Sequence, residues 1–149
     1  MSKIIAITNQ KGGVGKTTTS VNLSACLAHK HKKVLMIDCD AQGNATSGLG
    51  INPRETEISI YDCLVDASKI HDAVIKTKYK NLSVIPSSPN LSAAEIELAY
   101  EEKREFFLKN ALDKIKDEYD FIIIDSPPAL GMLTINIMTA ADSVIIPIQ

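Results

Sequence analysis

Apolar residues fall along this chain in short unbroken runs, separated by longer stretches where they recur at helical spacing. Lys3–Thr8, Lys33–Asp38 (KVLMID), Leu82–Pro86, Asp120–Asp125 (DFIIID) and Ser143–Ile148 read as strands. Runs of this kind, apolar throughout rather than alternating, belong to strands covered on both faces. Between them, Lys16–His31 reads as a helix with Val21, Leu23, Ala25 and Leu27 among its apolar positions, and Ile58–Val65 as a short helix. Ser92 and Glu95 stand at capping-box spacing ahead of a helical run to Tyr100. Lys103–Glu118 carries a stripe of Leu108, Ala111, Leu112 and Ile115, and Thr134–Ala141 reads as one more helix. Ala41–Gly50, rich in Gly, Asn, Ser and Thr, reads as a loop.

Buried strands alternating with helices predict an α/β fold, a doubly wound, mostly parallel sheet with helices on both faces. Ligands of such sheets bind at the carboxyl ends of the strands. The 149 residues fit one domain. Its last apolar run, Ile145 to Gln149, reads as a core strand with nothing after it, so the chain is expected to be the N-terminal portion of a longer domain.

Composition narrows the class. At 45% hydrophobic and 23% charged residues the chain is ordinary globular protein. A formal net charge of −2 argues against a surface built throughout for nucleic acid. No apolar stretch reaches the ~18 residues of a membrane span, and no signal-peptide pattern opens the chain. The three cysteines, Cys26, Cys39 and Cys63, have no C-x-x-C spacing and read as free cytosolic thiols. His29, Lys30, His31, Lys32 and Lys33 read as a solvated, cationic helix end. His71 is isolated, and Met36, Met132 and Met138 read as core filler.

Candidate chemistry gathers at strand ends. Lys11-Gly12-Gly13-Val14-Gly15-Lys16-Thr17-Thr18 follows the first strand and opens the first helix. Strand, glycine-rich turn and helix start make a phosphate cradle, with backbone N–H groups turned inward and the helix N-terminus adding positive charge. Lys16 is placed to reach β- and γ-phosphates, and the Thr17 hydroxyl to bind Mg²⁺. The pattern departs from G-x-x-x-x-G-K-[ST] in carrying Gln10 at the first glycine position and an extra cation, Lys11. Asp125 ends an apolar strand, where a carboxylate beside Thr17 would hold Mg²⁺ directly or through water. Asp38 and Asp40 flank Cys39 at another strand end, and alternation would point both carboxylates one way. One of the two would aid the metal shell, directly or, for Asp38, through water, and the other would orient a water toward the γ-phosphate. Lys11 reads as a cation for the transferred phosphoryl group, pointing toward a second subunit.

These residues resemble a known family. Lys11 to Thr18 is similar to the deviant Walker A of the ParA/MinD ATPases; Asp38-Cys39-Asp40-Ala41-Gln42-Gly43-Asn44-Ala45-Thr46 resembles the Walker A′ region of the ParA/Soj partitioning branch; Asp125-Ser126-Pro127-Pro128 with Leu130-Gly131 and Leu133-Thr134 resembles its Walker B. The resemblance implies a cytoplasmic, nucleoid-associated P-loop ATPase using ATP and Mg²⁺. It implies an ATP-dependent sandwich homodimer in which Lys11 crosses to the partner's phosphates, Lys16 and Thr17 hold phosphate and magnesium, and Asp40 positions the attacking water. It further implies non-specific DNA binding, slow hydrolysis stimulated by a ParB/Spo0J-type DNA-binding protein, and no membrane partner. The alternative is a MinD-like membrane-cycling ATPase, against which the Gln42-Gly43-Asn44 run argues. Ala41 stands where the branch carries proline, a change expected to loosen that loop.

Overall fold

The computed structural model describes residues 2–9 and 15–148. Its elements alternate as the apolar runs require: β1 (Lys3–Ile7), α1 (Lys16–His29), β2 (Val34–Asp38), α2 (Asn44–Gly48), α3 (Ile60–Val65), β3 (Ile75–Lys76), β4 (Leu82–Ile85), α4 (Leu91–Leu98), α5 (Phe107–Asp113), β5 (Phe121–Asp125), α6 (Met132–Ala140) and β6 (Ser143–Ile145).

The strands form one sheet in the order β3-β4-β2-β5-β1-β6, parallel throughout except for β3, which runs antiparallel to β4. All five residues of β2 are buried, which is why VLMID is apolar without alternation until its terminal aspartate. Side chains on the two faces enter separate cores. Val34, Met36, Val84 and Ile123 pack with Ala28 of α1 and Ala45 of α2. Leu35, Ile37, Ile85, Ile122 and Ile124 pack with side chains from α3, α4, α5 and α6. The sheet therefore has helices on both sides, as expected. The registers Ile7↔Asp125 and Asp38↔Asp125 bring the ends of β1, β5 and β2 level with one another.

Several elements differ from the sequence reading for identifiable reasons. The segment Ala41–Gly50 is not all loop: Asn44–Gly48 forms α2, because the Asp38 carboxylate accepts the Thr46 N–H at 2.8 Å and holds the turn. Ser92 and Glu95 do not form a capping box. Helix α4 begins at Leu91 with no side-chain cap, and Glu95 instead accepts from the N–H groups of Met132 and Leu133, capping α6 and starting it two residues early. Lys103–Glu118 is not one helix. Lys103 adopts a left-handed φ of 53°, and after Asp113 the N–H groups of Lys114 and Ile115 reach carbonyls three residues back, tightening the chain into 3₁₀ turns. Helix α1 stops at His29 because His31 turns left-handed at φ 66°. β6 is shorter than expected, ending before Pro147, which has no N–H for a ladder. The short antiparallel β3 has too few residues to show a pattern. Met36 is fully buried, but Met138 is 48% exposed and lies with Leu130, Ile135 and Ile146 along an apolar groove of about 750 Å³, so it is not core filler. His71 is not isolated: its Nε2 is 2.7 Å from the Glu118 carboxylate.

All three cysteines are free thiols, Cys26 exposed and Cys39 and Cys63 buried. Burial pushes the Cys63 thiol up to about 12, and burial together with the neighbouring Asp38 pushes Cys39 well above its ordinary value. Thiolate is the reactive form. A thiol-reactive disulfide reagent at pH 8 is therefore expected to titrate one thiol rapidly in the native protein and three after denaturation. Rapid native reaction of two or three would contradict this packing.

Candidate nucleotide site

Helix α1 begins at Lys16, directly after Gly15. Gly15 takes φ 78°, a left-handed conformation that suits glycine, and its carbonyl accepts the Thr19 N–H at 2.8 Å. Among the described residues no side chain caps this end, and no acidic residue occupies the first turn, so the helix start keeps its positive character. Lys11, Gly12, Gly13 and Val14 lie outside the described residues. Thr18 is exposed on the first turn of α1.

One turn of α1 converges on Asp125. That carboxylate is fully buried at the end of β5. Ser20 Oγ donates to its Oδ1 at 2.7 Å, Lys16 Nζ approaches the same oxygen at 3.4 Å, and Thr17 Oγ1 donates to Oδ2 at 3.1 Å. Burial raises the Asp125 pKa, while Lys16 and the hydroxyls of Ser20 and Thr17 act in the opposite direction. Lys16 is itself buried, 8% exposed, and stands between two carboxylates, with Asp40 Oδ2 4.0 Å from its Nζ. A lysine is withdrawn from water to this degree only with such partners.

Asp38 and Asp40 do different work despite their spacing. Asp38 is fully buried, and both its oxygens are engaged within the protein: Oδ2 accepts from the Thr46 N–H at 2.8 Å and the Thr46 hydroxyl at 2.7 Å, and Oδ1 from the Asp40 N–H at 3.1 Å. Its carboxyl is pushed up to about 6 chiefly by burial, against the pull of Thr46. Asp38 therefore anchors α2 and the loop, and Asp125 is the carboxylate that meets Thr17. Asp40 keeps Oδ2 toward Lys16, while its Oδ1 accepts the Gln42 N–H at 3.0 Å.

The proline position taken by Ala41 does not leave this loop unheld. Gly43 N–H donates to the Asp40 carbonyl at 2.9 Å, and Ala41 packs against the core. Gly43 has φ 70°, and a Cβ there would lie 2.6 Å from Pro53 Cγ.

The chemistry of the donor set fits a hard cation beside phosphate. Thr17 supplies a hydroxyl oxygen and Asp125 a carboxylate, the ligands Mg²⁺ takes when phosphates and waters complete its shell. Ser20, Thr46 and Ser87 were missed by sequence reasoning. Ser20 had a signal, standing four residues after Lys16 and thus on its face of the helix. Thr46 and Ser87 had none, since their partners come from other segments.

An AAA domain model matches residues 2–149. The chain belongs to this family. Over all of its 149 residues it is 60% identical to the sporulation initiation inhibitor protein Soj of Bacillus subtilis and 49% identical to the chromosome partitioning protein ParA of Myxococcus xanthus. It spans 59% and 53% of those two proteins' lengths. Its fold matches that of cobyrinic acid a,c-diamide synthase from Mycobacterium smegmatis, solved with an ATP analogue and magnesium, at a TM-score of 0.96 and 38% identity, covering all of this chain and 61% of that one. The expected ParA/Soj-type resemblance thus holds along the whole chain.

Replacing Gly43 with alanine forces a side chain into both a left-handed backbone and Pro53. Gly43→Ala is expected to cost about 1–3 kcal/mol, read as a lower thermal midpoint. An unchanged midpoint would contradict the geometry of this loop.

Proposed function

We propose that the full-length protein is an ATP-hydrolysing partition protein of the ParA/Soj type. Mg²⁺ and ATP are its ligands, hydrolysis is slow, and ATP drives a sandwich homodimer that binds DNA without sequence preference. A ParB-type DNA-binding partner stimulates turnover, and the protein works in the cytoplasm on the nucleoid. The observation that carries this reading is the position of Lys16 between Asp125 and Asp40, beside Thr17 at the start of α1. The names of the relatives support the partition role, and identity to Soj exceeds identity to the synthase of similar fold. Among the described residues no helix is long and apolar enough to cross a membrane.

The residues divide the work. Lys16, held by two carboxylates, is poised to transfer its charge to β- and γ-phosphate oxygens, which compete through greater negative charge. Thr17 and Asp125 would hold Mg²⁺, whose contribution when bound is to neutralise those same oxygens. Asp40, freed from Lys16, would orient a water in line with the γ-phosphate; the water oxygen bonds to phosphorus as the bond to the ADP oxygen breaks. Lys11 would supply its charge to the phosphates of the second subunit.

In the full-length protein, Lys16→Ala is expected to abolish measurable MgATP binding, and Asp40→Ala to keep ATP-driven dimerisation while slowing phosphate release about 100-fold or more. Wild-type ATPase activity should rise most when DNA and the partner are added together. Parent-like binding by Lys16→Ala or parent-like turnover by Asp40→Ala would overturn the site assignment. ATP-dependent sedimentation with liposomes, and none with DNA, would overturn the partition role.

A further inference from the structure

We propose that Thr46 and Ser87 are positioning residues for hydrolysis, acting on the attacking water through Asp40. The inference rests on the reading of Asp40 as the carboxylate that orients that water.

Four buried residues from three segments close a ring of hydrogen bonds. Thr46 lies on α2, Ser87 follows β4, and Asp38 and Asp40 stand at and beyond the end of β2. The Thr46 hydroxyl donates to Asp38 Oδ2 at 2.7 Å and accepts the Ser87 N–H at 3.1 Å. The Ser87 hydroxyl donates to the Asp40 carbonyl at 2.5 Å. The Asp40 N–H completes the ring by donating to Asp38 Oδ1 at 3.1 Å. Thr46, Ser87 and Asp38 are fully buried, and Asp40 is 9% exposed.

The ring does more than cap α2. A cap needs only the Thr46 N–H on Asp38, a bond that exists in its own right at 2.8 Å. The Thr46 hydroxyl instead reaches outside the helix to Ser87, and Ser87 returns to Asp40. The ring thereby fixes the Asp40 backbone on both sides, its N–H through Asp38 and its carbonyl through Ser87. With the backbone fixed at both ends and Oδ1 held by the Gln42 N–H, the direction of Oδ2 is set. Orienting a water in line depends on placement at this precision, since a displacement of about 1 Å costs on the order of 100-fold in rate.

The test measures kcat for ATP hydrolysis, Kd for a non-hydrolysable MgATP analogue and the thermal midpoint in full-length Thr46→Val, Thr46→Ser, Ser87→Ala and Asp40→Ala. Thr46→Val keeps the shape of the side chain and removes its hydroxyl. It is expected to lower kcat about tenfold or more with Kd within about twofold of the parent. Thr46→Ser, which keeps the hydroxyl, is expected to restore turnover, and Ser87→Ala to lower kcat in the same selective way. If Thr46→Val fails to fold, Ser87→Ala decides. Parent-like kcat in the folded variants, a joint loss of kcat, affinity and midpoint, or no rescue by serine overturns the proposal. Parent-like turnover in Asp40→Ala overturns the underlying reading as well. Turnover lost in Asp40→Ala but intact in Thr46→Val and Ser87→Ala overturns only the positioning role.

Discussion

A carboxylate without solvent contact stands at the end of the strand in the middle of the site, and the surrounding arrangement answers to it. Burying an ion costs several kcal/mol even after relaxation. Asp125 is stabilised in its place by two hydroxyls and one ammonium, all from a single turn of α1. This requires the turn to begin where it does, immediately after Gly15, and it requires β5 to lie between β1 and β2 so that Asp125 comes level with Ile7 and Asp38. The requirement also explains why a lysine is buried. Lys16 compensates Asp125 and Asp40 together, so it is held close to where a triphosphate would take over its charge.

The same logic extends outward through polar side chains that ordinary packing would replace with apolar ones. Ser126 donates its hydroxyl to the Ile7 carbonyl at 2.8 Å, tying the chain after β5 to the end of β1. Glu95 reaches across to the first N–H groups of α6, so the segment following Asp125 is tied to α4. Thr46 and Ser87 tie the loop after β2 to the end of β4. Among the described residues, no buried side-chain polar atom is left without a partner. The loops after β2, β4 and β5 are thus each fixed by a specific bond to a neighbouring strand end or helix, which suits loops that must hold charged groups in register.

What the sequence disclosed follows from the range of the forces involved. The apolar runs of β1, β2, β4 and β5 carry their burial in their composition, and the aspartate closing FIIID marks a strand end without any tertiary knowledge. Lys16 and Thr17 are legible because the glycine turn and helix start are local. Several of the misread parts were decided by partners outside the segment concerned. Asn44–Gly48 is polar enough to look like a loop and becomes a helix because Asp38 holds Thr46. Glu95 matched a capping box by spacing, yet its partners lie 37 and 38 residues away on α6. Alternation points Asp38 and Asp40 the same way, and only the placement of α2 gives Asp38 an anchoring task and leaves Asp40 facing Lys16.

The central claim is that Lys16 exchanges its two carboxylate partners for phosphate oxygens. A crystal structure of the full-length protein with Mg²⁺ and a non-hydrolysable ATP analogue tests it most directly. The account predicts Lys16 Nζ on β- and γ-phosphate oxygens, the Thr17 hydroxyl on the metal, and Asp40 turned toward the γ-phosphate. A triphosphate bound elsewhere, with Lys16 still paired to Asp125 and Asp40, would contradict it.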